Sequence, residues 1–88
     1  MARGWTRPAS QDVGAVVALT PSGTVTVRAH SAAIVPEGTS VADARGAFQG
    51  RVVRVFGPVA RPYYSVRPRR PPSPAEGAQL LGAELHRA

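Results

Sequence analysis

The sequence predicts an all-β fold, a small closed barrel of five to seven short strands. Two observations lead to it. Short stretches rich in β-branched residues, several of them alternating apolar and polar side chains, are separated at regular spacing by turns rich in Gly and Pro. The chain has 88 residues and no cysteine. A core this small is marginal, and closure into a barrel removes the exposed sheet edges that it could not otherwise protect.

The first two strands are predicted on either side of a Pro-Ser-Gly turn. Residues 13–19 form an apolar, β-branched run that is typical of a strand buried on both faces. At Pro21-Ser22-Gly23, Pro favours the second turn position and Gly the position with positive φ. Residues 24–29 then alternate, which places the two valines and Ala29 on one face and the two threonines and Arg28 on the other.

Three further strands are predicted between Val41 and Arg67. A short strand ends at Asp43, where Asp43-Ala44-Arg45-Gly46 is typical of a hairpin loop. The strand of residues 50–56 carries apolar side chains on both faces and stops at Gly57-Pro58, because Pro cannot donate to a ladder. Residues 63–67 form the last strand.

This pattern predicts three regions. Residues 1–11 show no periodicity and are expected to be a flexible arm. Residues 12–68 are the predicted barrel domain. Residues 69–88 are a Pro/Arg-rich connector followed by a short C-terminal helix that is marginally stable.

The predicted helix starts at Ser73-Pro74-Ala75-Glu76, which has the spacing of a capping box. Ala78, Leu81 and Leu85 would then share one helical face. The barrel would therefore be complete before the helix begins.

Positive charge is concentrated in the second half of the chain. The net charge is +6, and all 11 basic residues are Arg. Residues 51–70 contain six Arg and no acid. Such a field attracts polyanions such as RNA, directly or within a larger particle. The candidates for RNA contact are Arg51, Arg54, Arg61, Arg67, Arg69 and Arg70.

Residue types that carry catalysis are scarce. His30 and His86 stand alone, without the spacing of a metal site, and Asp43 lies where a turn needs it. The chain has no thiol, no lysine amine and no Gly-rich phosphate loop. We therefore expect no enzyme, no metal or cofactor and no small-molecule ligand. No apolar run approaches the length of a membrane span, and the N-terminus lacks a secretion signal, so we expect a cytoplasmic protein.

The most informative segment is residues 56–68, with the sequence FGPVARPYYSVRP. A strand ends in a Gly-Pro corner, and after a second Pro a pair of tyrosines enters the next strand. Two prolines and a glycine fix a backbone shape at low entropic cost. Rigid apolar and aromatic groups are typical of a protein-docking surface.

Residues 50–68 resemble the signature of the barrel subunit of H/ACA ribonucleoproteins, the archaeal and eukaryotic particles that guide RNA pseudouridylation. The matching elements are Gly-x-Val-x-x-hydrophobic-Phe-Gly-Pro-Val, followed by Pro-Tyr-x-Ser-Val-basic-Pro. The resemblance extends upstream through Ser22-Gly23, Pro36-Glu37-Gly38 and Val41-Ala42-Asp43, with Gly46 closing a turn. The compact length is similar to that of archaeal members.

This resemblance implies a six-stranded barrel like those of translation factors and of the reductase-isomerase type. It also implies a non-catalytic subunit that docks on the catalytic domain of the pseudouridine synthase and promotes substrate placement and product turnover in rRNA modification. Guide and substrate RNA would be indirect partners. The family often has an acid at the place of Arg54, so a contact made there must differ. The motif matches that would bind the synthase are Phe56, Gly57, Pro58, Val59, Pro62, Tyr63, Ser65 and Val66.

Strand alternation adds Val52 and Tyr64 to the predicted outer face, because one apolar set has no room inside a small barrel. A bulge after Pro62 would exchange the two tyrosines. Two alternatives remain open. One is a barrel that binds single-stranded RNA directly through its tyrosines and arginines. The other is a ribosome-assembly or translation-factor-like barrel with a protein partner.

Overall fold

A computed structural model describes residues 12–30 and 34–88, so the predicted arm at residues 1–11 lies outside the described residues. In the described part there are six strands and one helix. In chain order they are β1 (Asp12–Leu19), β2 (Val25–Ala29), β3 (Ser40–Asp43), β4 (Gln49–Phe56), β5 (Tyr63–Pro68), α1 (Pro74–Leu80) and β6 (Glu84–Arg87).

The strands close into an antiparallel barrel in the order β1-β2-β5-β4-β3-β6, with β6 returning to β1. The predicted fold class, a six-stranded closed barrel, is confirmed. Since β1 and β4 are three strands apart in either direction around the ring, they lie on opposite sides of the barrel.

Side chains close the two hairpins that the sequence predicted most clearly. Between β1 and β2, the Thr20 and Thr24 hydroxyls are 2.7 Å apart, and the Gly23 N–H donates to the Thr20 carbonyl at 3.0 Å. Between β3 and β4, the Phe48 N–H donates to Asp43 Oδ1 at 3.3 Å, and the Gly46 N–H donates to the Asp43 carbonyl at 3.1 Å. Asp43 therefore has the predicted role in the turn.

The core is built from the inward side of every strand. Val25, Val27 and Ala29 are buried, as the alternation of β2 predicts. Tyr64 is the largest fully buried side chain, and its hydroxyl accepts a hydrogen bond from the Val35 N–H at 3.0 Å. This bond stabilises the segment before β3 against the barrel interior, where an unsatisfied N–H would be costly.

The predicted barrel boundary at residue 68 is wrong, because β6 supplies the sixth strand. It pairs with β1 on one side, where Gly14 faces Leu85, and with β3 on the other, where Ala42 faces His86. Leu85 is only 2% exposed and belongs to the core. The predicted apolar helix face that included Leu85 is also wrong, since α1 ends at Leu80 and Gly82, with φ +84°, lies in the turn between the helix and β6.

Helix α1 begins as predicted. The Ser73 side chain accepts from the Glu76 N–H at 3.2 Å, and the Ser73 N–H donates to Glu76 Oε1 at 2.9 Å. Gly77 lies against β1, where an added Cβ would be 2.9 Å from Leu19 Cδ1. At seven residues, α1 is much shorter than a membrane-spanning helix, and the described residues contain no other helix.

Candidate functional site

The candidate site is the connection between β4 and β5, residues 56–63, which we call the β4–β5 corner. Gly57 starts it with φ +92°, a conformation that side chains disfavour. A Cβ at Gly57 would also lie 2.8 Å from Cδ2 of Tyr63. Glycine is therefore required twice, once for the turn and once for the close approach of the Tyr63 ring.

An aromatic stack supports the corner. The Phe56 and Tyr63 ring centroids are 5.7 Å apart with an interplanar angle of 22°. The guanidinium carbon of Arg54 lies 5.5 Å from the Phe56 centroid, within cation–π range. Phe56 is nevertheless 37% exposed and Val59, near the tip, is 86% exposed. The corner thus presents apolar side chains beside a cation.

Buried backbone holds the far side of the corner. Pro62 is buried, and its carbonyl accepts a hydrogen bond from the Ala29 N–H at 2.9 Å. This bond joins the start of β5 to the end of β2. The corner is therefore fixed at both ends, by the aromatic stack at β4 and by the Pro62 carbonyl at β2.

The structure separates the predicted docking residues into two groups. Phe56, Gly57, Pro58 and Val59 are exposed together on the corner, and Tyr63 is half-buried beside them. Pro62 and the inward residues of the strands are buried instead. The buried residues of the predicted set are Val52, Pro62, Tyr64 and Val66.

The prediction that Val52 and Tyr64 face outward is wrong. A register shift between Val52 and Arg54 makes β4 bulge, so Val53 is the residue turned out while Val52 stays inside. On β5, Tyr64 lies between Val27 and Val55 in the ladder and is 0% exposed. The outward tyrosine is Tyr63. Ser65, two residues on, is half-buried and faces Arg54 across the ladder.

The six arginines proposed for RNA contact are all exposed, but they lie in different places. Arg51, Arg54 and Arg67 are on β4 and β5, while Arg61 is on the corner. Arg69 follows β5, and its Nη1 donates to Gln49 Oε1 at 2.8 Å. Arg70 is close enough to Glu76 to contribute to lowering that carboxyl's pKa, after the larger effect of the hydrogen bonds from Ser73.

Three exposed arginines of the described residues, Arg28, Arg45 and Arg87, were not among those candidates, and Arg28 lies nearest to the corner. Arg28 on β2 lies directly across the ladder from Tyr63. Alternation along β2 had already placed Arg28 on the outer face, but the pairing of β2 with β5 is non-local and is not visible in the sequence.

The described residues contain no group of three side chains suited to a metal ion. His30 pairs with Glu84, and His86 Nε2 lies 3.2 Å from the Asp43 carbonyl oxygen. A surface depression of about 980 Å³ lies between the β3–β4 hairpin, the connector and α1. It is at the opposite end of β4 from the corner.

A comparison of the chain with models of known protein families and with curated proteins finds no match.

Proposed function

We propose that this chain is a non-catalytic subunit of an archaeal-type H/ACA ribonucleoprotein. In this proposal the β4–β5 corner docks on the catalytic domain of the pseudouridine synthase. The chain promotes placement of the substrate RNA and turnover of the product during rRNA modification in the cytoplasm. Guide and substrate RNA are partners through the particle. The proposal combines the sequence resemblance over residues 50–68 with the surface that those residues form.

The observation that carries the proposal is the exposure of Val59 on a corner of fixed shape. An apolar side chain that is 86% exposed gains about 1.5–3 kcal/mol when it is fully buried. Gly57 and the Phe56–Tyr63 stack hold the backbone beneath it. Because the corner is already ordered, docking loses little conformational entropy there.

Arg54 changes the charge that a docking partner must present at this surface. It covers part of the Phe56 ring, so a docked surface meets a cation next to an apolar patch. A carboxylate on the synthase would complement the positive charge of Arg54. Where the family has an acid at this position, the synthase would instead need a basic group. We therefore expect binding of this chain to be specific for a synthase with a matching acidic group.

The test is titration calorimetry with the purified synthase subunit, comparing Val59→Ser with Val17→Ser. Both changes shorten and polarise an exposed valine, and Val17 lies on β1, on the side of the barrel away from β4. We expect Val59→Ser to weaken binding by about tenfold or more, as for an interface anchor. We expect Val17→Ser to bind like the wild type.

Because both valines are exposed, the two variants should melt within a few degrees of the wild type, and this is the control for folding. The proposal is contradicted if the wild-type chain does not bind the synthase. It is also contradicted if both variants bind equally well.

A further inference from the structure

The outer surface of β2, β5 and β4 carries four exposed arginines, which we call the arginine face: Arg28, Arg51, Arg54 and Arg67. The register brings them together although they are up to 39 positions apart in sequence. Arg51 lies across from Arg67, Arg54 lies across from Ser65, and Arg28 lies across from Tyr63. Three adjacent strands therefore carry these arginines on their outer side.

Four of the five acidic residues lie on the other strands or on α1. None is found in β2, β4 or β5. Asp12, Asp43 and Glu84 belong to β1, β3 and β6, and Glu76 belongs to α1. Glu37, in the loop before β3, is the acid next to the arginine face, since the neighbouring Gly38 N–H donates to the carbonyl of a β4 residue. The strands thus separate the two signs of charge.

Arg51 and Arg67 form a directly opposed cross-strand pair of like charge. Like charges that lie directly opposite each other destabilise a sheet. Among the described residues, no ion pair involves any arginine of the face. An anion bound between Arg51 and Arg67 would remove this repulsion, so the arrangement suits a ligand that carries several negative charges.

The side chains between the arginines indicate which polyanion fits. Thr26 and Ser65 form the middle row of the face and offer hydroxyls. Tyr63 offers a half-buried aromatic ring across the ladder from Arg28. A nucleotide has a phosphate for Arg, a base for an aromatic ring and, in RNA, a 2′-OH for a hydroxyl. An acidic peptide would use only the arginines.

We propose that the arginine face binds the phosphate backbone of single-stranded RNA. A flexible single strand can follow the convex outer surface of a small barrel, which a stiff duplex cannot. The β4–β5 corner lies at one end of this face, where Phe56 and Tyr63 meet, so a protein docked there leaves Arg51 and Arg67 open. The inference does not depend on the synthase being the partner.

The test is fluorescence anisotropy of labelled oligouridine, about 20 nucleotides long, titrated with the full chain between about 50 and 200 mM salt. Arg51→Gln/Arg67→Gln removes two charges from the face. The control, Arg45→Gln/Arg70→Gln, removes two charges beside the depression at α1. Both variants have the same net charge, and all four arginines are exposed.

For a single strand, each lost phosphate contact lowers the slope of log K against log salt by about 0.7. We therefore expect the face variant to lose about 1.4 in slope and about tenfold in affinity at the lower salt concentration, while the control changes much less. Oligothymidine should bind more weakly than oligouridine, because it lacks the 2′-OH.

Several outcomes overturn the proposal. One is that the wild-type chain does not bind oligouridine, and another is that the two double variants lose affinity equally, which would mean that total charge alone matters. Equal binding of polyglutamate, or tighter binding of a duplex, also overturns it. None of these outcomes bears on the calorimetry with the synthase, so the two proposals fail separately.

Discussion

Truncation of Leu85 tests whether β6 closes the barrel. Leu85 is 2% exposed and faces the core between β1 and β3, whereas Leu81, four residues earlier, is 53% exposed. Leu→Ala at a buried site costs about 2–5 kcal/mol. The same change at Leu81 should cost about 1 kcal/mol or less, because about half of the residue is already in water.

For a domain of this size, 1 kcal/mol corresponds to about 4–8 °C in Tm. We therefore expect Leu85→Ala to melt about 10–30 °C below the wild type, and Leu81→Ala to melt within about 8 °C of it. The assay is thermal unfolding followed by circular dichroism. A chain ending at Pro68 would lack β6 and should not melt cooperatively, because β1 and β3 lose their shared neighbour. Equal Tm values for the two Leu variants, or a cooperative melt of the shortened chain, would refute this account of closure.

Three further substitutions probe the barrel. Gly14→Ala places a Cβ 2.0 Å from a β2 carbonyl oxygen. It should therefore lower the free energy of unfolding, measured in urea, by about 3 kcal/mol or more. A decrease of less than about 1 kcal/mol would contradict the close approach of the two strands. Tyr64→Phe removes the hydroxyl that accepts from the buried Val35 N–H. By the same assay it should lower the free energy of unfolding by about 1–3 kcal/mol. An unchanged urea midpoint would contradict a stabilising role for this hydrogen bond. Hydrogen bonds from the Ser73 N–H and hydroxyl lower the pKa of Glu76 from its ordinary 4.5. The ionised Glu76 side chain therefore stabilises the fold above pH 4.5, and this stabilisation is lost as the pH falls through the lower pKa of the folded state. The Tm difference between wild type and Glu76→Gln should therefore disappear in acid, and a constant difference would contradict this role.

Local signals in the sequence predicted most of the fold. The alternation of Val25, Val27 and Ala29 identified an inward face because strand periodicity is independent of the partner strand. Asp43 was predicted as a turn residue and Ser73 as a helix cap for a similar reason, since each acts on backbone within a few positions. These features depend on contacts between residues close in sequence.

The wrong predictions concern features that are determined by contacts between residues far apart in sequence. Leu85 lies in a four-residue strand without β-branched residues, and its leucine spacing also fits a helix. Only its pairing with β1 and β3 makes it a strand. Strand alternation places Tyr63 and Tyr64 on opposite faces of β5. It does not tell which of them faces inward, because the register of β5 with β2 determines that. Arg28 joined the arginine face through that same non-local pairing.

We propose that the β4–β5 corner is the surface that docks on the pseudouridine synthase subunit. Hydrogen exchange of the full chain, with and without the purified synthase, tests it most directly. The amides of the exposed residues Gly57, Val59, Ala60 and Arg61 should exchange quickly in the free chain and slow markedly in the complex, because docking excludes water from them. Exchange at the exposed residues Val17 and Leu81, away from β4, should stay unchanged. Protection there without protection at the corner, or no protection anywhere, would contradict the claim.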